Sequence, residues 1–210
     1  MSGSRGQDQC FGKANDGHIE NAVSLPRGGA NFVRLTQGPV TAGRTFVHST
    51  VRDILLDAWA ALGVDRPKVT WVYGETGLQQ GGPMPPHQTH QNGLSVDLFV
   101  PVTDREGNSV QFPNRADNGW GYQVEFDADG QNSTHAIDYG SLGELLYHLH
   151  IAARGRGSGI ALVIFQRELR PRLFATARGP WLKENVPFPN WDDRVRHDDH
   201  IHMDFVAQCR

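Results

Sequence analysis

The chain has 210 residues, with 20 Lys and Arg against 23 Asp and Glu and a net charge of −3. That length suits one domain with a sizeable core, read here as a single unit over residues 1–210 with 1–15 as a flexible N-terminal arm. The charge balance excludes the basic stripe that captures nucleic acid, and no apolar run approaches the ~20 residues of a bilayer-crossing helix.

The opening ten residues contain no apolar h-region, so they do not read as an intact secretory signal. Either a signal has been removed, or export uses a route that reads none. Cys10 and Cys209 are the only cysteines, one near each end, and lack the close spacing of a metal-thiolate pair. They read as two unrelated buried thiols or, preferably, as one disulfide tying the arm to the last strand. A terminal arm frays unless something holds it, and a disulfide implies an oxidising compartment.

Residues 49–63 predict a helix: Ser49 or Thr50 can cap it, apolar residues recur at helical spacing, and Gly63 suits the stop. Residues 68–73 predict a strand. Residues 94–100 predict another, with Leu94, Val96, Leu98 and Val100 alternating against Ser95, Asp97 and Phe99. The stretch 103–138 is rich in Asp, Asn and Gly and predicts a hairpin around 122–126 with a turn at Asp127-Ala128-Asp129-Gly130. That turn lacks the rest of a calcium loop. Residues 141–154 predict a second helix, ended by Gly155-Arg156-Gly157-Ser158-Gly159; strands follow at 160–165 and 200–206. With no repeat and no dividing linker, the class is α+β: a small central antiparallel sheet flanked by helices and long loops.

Five of the ten histidines fall in two short segments. His87 and His90 lie in the first, ahead of Asp97; His197, His200 and His202 make up the second. Neutral imidazole is the commonest protein ligand for zinc. His90 and Asp97 are seven residues apart, so in one straight strand they would point to opposite faces roughly 23 Å apart. They can share a metal only if the chain turns, and Gln91-Asn92-Gly93 supplies a turn. His90 is then on a loop and Asp97 on the polar face of a strand. Pro85 and Pro86 disfavour a helical His87-x-x-His90 pair. In the last strand His200, His202 and Asp204 share one face while Ile201, Met203 and Phe205 share the other, which sets the two imidazoles roughly 6–7 Å apart. Taken alone, Asp97 reads more readily as a solvated carboxylate. His200 reads either as a fourth ligand, closing a structural site, or as a base beside an open catalytic one.

The pattern His87-x-x-His90-Gln91-x-Gly93-Leu94-x-Val96-Asp97, followed by His197-x-x-His200-x-His202, resembles the penicillin-insensitive murein endopeptidases. These belong to the zinc-peptidase group that includes lysostaphin, D-Ala-D-Ala carboxypeptidases and the sonic hedgehog signalling domain. Asp16-Gly17-His18-Ile19 and Ser24-Leu25-Pro26 extend the resemblance weakly, so that it spans about Asp16 to Cys209. It implies one zinc ion per chain held by His90, Asp97 and His202, with His200 as the active-site base and His87 and His197 lining the site. Two departures stand out. Periplasmic members commonly carry several disulfides, and a basic residue commonly occupies the place of Asp204. From there Asp204 can orient His202 or alter substrate preference.

The resemblance implies hydrolysis of D-alanyl–meso-diaminopimelate cross-links between peptidoglycan stem peptides. Three-ligand zinc lowers the pKa of water towards ~7, and His200 accepts the water proton or stabilises the tetrahedral oxyanion, and later helps protonate the leaving amine. A D,D-carboxypeptidase is the first competing expectation, although its Glu-x-x-Trp motif is absent here. A zinc-stabilised binding domain is the second. The expected setting is the periplasm or cell envelope, and the expected partners are stem peptides. An immunity protein joins them if the enzyme is delivered against a rival's wall.

Overall fold

The computed structural model describes residues 7–35, 43–191 and 195–210. It begins with an antiparallel hairpin, β1 (Gln9–Lys13) on β2 (Asp16–Glu20). From Gln9 onward, then, the arm expected to be flexible is pinned structure; residues 1–6 lie outside the described part. Cys10 is fully buried and disulfide-bonded to Cys209, 199 residues away. The chain end also pairs with β1, Gly12 N–H donating to Arg210 O at 2.9 Å and Arg210 N–H to Cys10 O at 3.0 Å.

The strands β3 (Val23–Ser24), β4 (Phe32–Arg34) and β5 (Phe46–Val47) precede α1 (Ser49–Asp65). The cap of α1 differs from the expectation. His48 occupies the cap and takes the Thr50 N–H on Nδ1 at 3.2 Å, while the Asp8 carboxylate accepts the Ser49 N–H and its hydroxyl. A carboxylate there also complements the positive end of the helix dipole. Gly63 does not stop the helix, which runs on to Asp65; Arg66 closes it by donating its N–H to Leu62 O at 2.7 Å. Next come β6 (Trp71–Tyr73), β7 (Ser95–Phe99), β8 (Val102–Thr103), β9 (Ser109–Val110) and β10 (Ala136–Ile137). The second helix, α2 (Tyr139–Gly155), starts two residues before the predicted span because Asp138 caps it, accepting the Ser141 N–H at 2.9 Å. β11 (Ile160–Ile164), α3 (Arg170–Phe174), α4 (Gly179–Asn185) and β12 (His200–Phe205) complete the order.

The fold is α+β, built on a five-stranded sheet of order β11-β12-β7-β6-β4. Its β11–β12, β12–β7 and β7–β6 pairs are antiparallel, but β4 and β6 are parallel, so the sheet is mixed rather than antiparallel throughout. The reason is topological. Parallel neighbours need a long crossover, usually helical, and α1 lies between these two strands. The buried stripe of α1 (Val51, Ile54, Leu55, Ala58, Trp59, Leu62) joins one core with Leu142, Leu145, Leu146 and Leu149 of α2 and with Val96, Leu98, Ile201 and Met203 of the sheet. Trp59 stacks on Phe32, with ring centroids 4.1 Å apart. Each such buried aliphatic side chain contributes roughly 1.5–3 kcal/mol. This packing commits the odd-numbered face of β12 to the core and frees the other face for chemistry.

No hairpin forms around residues 122–126. Residues Ala116–Gly121 make a 3-10 turn, and the segment after it is drawn inward by polar contacts instead of pairing as strands. Tyr122 Oη reaches Asp97, and Phe126 N–H donates to Asp198 Oδ2 at 2.7 Å. The predicted turn is present: Gly130 N–H bonds Asp127 O at 2.9 Å, and Asp127 Oδ1 accepts the N–H groups of Asp129 and Gln131. Among the described residues, no helix is long and apolar enough to cross a membrane.

Candidate metal centre

The site is made by the register of two antiparallel strands. In β12 against β7, His202 lies opposite Asp97, His200 opposite Phe99 and Asp204 opposite Ser95. Direct cross-strand neighbours have Cβ atoms roughly 4.5–5.5 Å apart, so this register by itself brings an imidazole from one end of the sequence onto a carboxylate from its middle. Every residue of β7 is buried, and so is every residue of β12 except the half-buried Asp204.

His90 reaches the same point from a loop. The turn that the chain needs between His90 and Asp97 is present, but its positive φ values fall on His90 (67°) and Gly93 (77°) and not on Asn92. A side-chain-bearing residue in this region costs on the order of 1–3 kcal/mol unless its surroundings hold it. Two bonds hold His90: its Nδ1–H donates to Thr76 O at 2.9 Å, and its backbone N–H donates to Ser95 Oγ at 3.3 Å. Gly93 disfavours a larger residue, because its φ is 77° and a Cβ there would lie 3.0 Å from the backbone nitrogen of His48.

The donor atoms of His87, His90 and Asp97 lie within 4.8 Å of one another. His90 Nε2 is 3.2 Å and His202 Nδ1 3.1 Å from Asp97 Oδ1, while His87 Nδ1 is 4.0 Å from Asp97 Oδ2. The group of His87, His90 and Asp97 can hold a metal ion, and one detail tests the fit. With its Nδ1–H spent on Thr76, His90 turns a bare Nε2 lone pair towards the carboxylate, and that buried nitrogen has no hydrogen-bond partner. Two lone pairs at this distance repel unless a cation sits between them. His87, expected only to line the site, therefore has its donor atom inside the same group; its Nε2 meets the buried carboxylate of Glu75, which Arg44 also pairs at 3.2 Å.

His200 and His197 complete the surroundings. The His200 ring is 4.8 Å from His197 and 5.0 Å from Tyr122, and its Nδ1 bonds the Asp199 carboxylate. His197 Nδ1–H donates to Val195 O at 2.8 Å. All six histidine and aspartate positions singled out in the sequence thus gather in one neighbourhood.

The electrostatics follow from burial and pairing. Burial pushes the Asp97 carboxyl up, but the imidazoles of His90 and His202 that face it outweigh burial and hold the carboxyl well below its usual range. For His202, burial disfavours the charged ring, yet the bonds to Asp204 and Asp97 win and raise it to about 10. His200 is raised too, the Asp199 carboxylate overcoming burial. Burial and the negative charges of Asp97 and Glu75 push the Tyr122 phenol well above its ordinary value, keeping it a donor.

Sequence reasoning missed Glu75, Thr76, Tyr122 and Asp199. Tyr122 donates to Asp97 Oδ2 at 3.1 Å and accepts the Glu75 N–H at 3.0 Å. Gly74 makes this possible, since a Cβ there would stand 2.4 Å from the phenol oxygen. Only Asp199 had a local signal, its place beside His200; nothing in the polar stretch around Tyr122 marks it. A second group, Asp65, Glu144 and His148, lies on the helices, where Glu144 pairs with Arg66 and Arg178 and reads as an ion-pair network. The chain matches no family model and no curated protein.

Proposed function

We propose that the protein is a zinc-dependent D,D-endopeptidase that cuts D-alanyl–meso-diaminopimelate cross-links of peptidoglycan. The observation that carries the reading is the convergence on Asp97 Oδ1 of His202 Nδ1 at 3.1 Å and His90 Nε2 at 3.2 Å. The spacing of the two histidine motifs, which resembles the murein endopeptidases, supports the peptidase assignment. On this reading His90, Asp97 and His202 hold one zinc ion per chain. Bound there, zinc supplies a Lewis acid and makes water more acidic.

The chain's own residues do the rest. Asp199 occupies the Nδ1 side of His200, so Nε2 is the atom that takes a proton from the attacking water and returns it to the leaving amine. Tyr122 keeps Asp97 oriented through Oδ2. His197, with Nδ1–H fixed on Val195 O, and His87, against Glu75, border the position where the substrate carbonyl would lie. The Cys10–Cys209 disulfide favours an oxidising compartment such as the periplasm or cell envelope.

The test is zinc-loaded protein incubated with purified muropeptide dimers and, separately, with monomeric pentapeptides. Splitting of the dimers is the expected result. Trimming of the pentapeptides alone makes the enzyme a carboxypeptidase; no cleavage of either, with zinc bound, makes the domain a binding module.

A further inference from the structure

Beneath the site runs one polar chain that the mechanism above does not use. Asp204 and Ser95 face each other across β12 and β7. Ser95 is fully buried, and the Asp204 side chain is only 13% exposed, too enclosed to read as a substrate contact. Ser95 Oγ accepts the backbone N–H of His90 at 3.3 Å and lies 2.6 Å from Asp204 Oδ1. A hydroxyl has one proton to give, and the carboxylate is where it goes. The same Oδ1 lies 3.1 Å from His202 Nε2. As an ionised carboxylate only accepts, Nε2 must carry the hydrogen of that bond. His202 Nδ1 faces Asp97 Oδ1 at 3.1 Å and donates to it while the ring is doubly protonated, so it is the atom that would exchange its proton for zinc while Nε2–H stays on Asp204.

We propose that Asp204 is a positioning residue acting through His202: together with Ser95 it holds the Nε2–H form of the ring and ties both imidazole ligands to one buried hydroxyl–carboxylate pair. The inference rests on reading His90, Asp97 and His202 as the zinc-binding set, and extends it to a position where the resemblance leads one to expect a basic residue. A carboxylate bonded to the far nitrogen of a ligating histidine fixes its tautomer and raises its basicity, and losing such a partner typically costs about 10–100-fold in metal affinity. Ser95 serves twice, orienting the carboxylate and receiving the backbone of His90.

Zinc affinity, measured by competition with a chromophoric chelator, and side-chain histidine NMR of the zinc-loaded full chain give two readouts independent of turnover. Wild type should show His202 coordinated through Nδ1, with an Nε2–H slow to exchange. Asp204→Ala should weaken zinc binding about 10–100-fold and lose that protected proton. Asp204→Asn, whose amide oxygen still accepts, should lose less. Ser95→Ala should lose a few-fold alone and add nothing on top of Asp204→Ala. Should Asp204→Ala fail to fold, the wild-type spectrum still decides, since coordination through Nε2 overturns the proposal directly. Zinc binding by Asp204→Ala within twofold of wild type also overturns it, and the zinc reading survives if Asp97→Ala loses the metal. Wild type that binds no zinc overturns both.

Discussion

Asp97→Asn keeps the shape of the side chain and removes one charge from the point where the imidazoles converge. Asp97 is 1% exposed and faces His202 Nδ1 at 3.1 Å, His90 Nε2 at 3.2 Å and His87 Nδ1 at 4.0 Å. In metal-free protein the carboxylate partners His202, whose pKa is raised to about 10. Breaking a buried ion pair from one side costs about 3–5 kcal/mol. The lower end applies, because His202 keeps Asp204 at 3.1 Å and can shed its proton. For a chain of this size that is a fall in melting temperature of roughly 6–12 °C. Zinc adds a second, separable effect: at a free concentration ~1,000-fold above Kd, wild type gains about 4 kcal/mol, or roughly 8–16 °C. The variant, missing a ligand, should gain almost nothing. Circular-dichroism melts with chelator and then with excess zinc measure both. A zinc-induced rise in Asp97→Asn equal to that of wild type would refute the assignment of Asp97 as a ligand.

Three further outcomes are expected. His200→Ala should keep its zinc by elemental analysis and lose about 10²–10⁴-fold in turnover of muropeptide dimers; loss of the metal would instead make His200 a ligand. Chelator-treated protein should lose stability as pH rises from about 6.5 towards 10, because His202, raised in the folded state, contributes fully only below its unfolded value. It should also lose stability as pH falls below about 4, where the unfolded chain protonates Asp97 while the folded carboxyl, held well below its usual range, is still charged. Melting temperatures across pH 3–10 test both limbs, and a flat profile between pH 7 and 10 contradicts the first. Cys209→Ser should cost up to about 5 kcal/mol for so long a closed loop, and denaturant titration showing an unchanged midpoint would mean that the main-chain pairing of β1 with the chain end already does this work.

Local chemistry made a definite part of this protein legible in its sequence. The pleat has a period of two, so Ile201, Met203 and Phe205 settled which face of β12 the histidines occupy before any neighbour was known. The bodies of α1 and α2 followed from apolar spacing, and the turn at Asp127 followed from a carboxylate bonding to backbone N–H groups within four residues. The need for a bend between His90 and Asp97 came from the reach of a strand.

Tertiary structure alone decided the rest, because it depends on which surfaces meet. The pairing of His202 with Asp97 joins positions 105 residues apart, and a one-residue slip of β12 in that register would turn His200 and His202 to the other face. At the start of α1 the cap is His48, and Asp8, from 41 residues away, accepts the Ser49 N–H and hydroxyl, so neither Ser49 nor Thr50 caps the helix. The hairpin expected around residues 122–126 gave way because the bonds of Tyr122 to Asp97 and of Phe126 to Asp198 satisfy that segment from outside; strand propensity is only a statement about surroundings. Periodicity and turn chemistry belong to the chain itself. Register, burial and the partners of a buried charge belong to contacts between distant segments, and those contacts make the site.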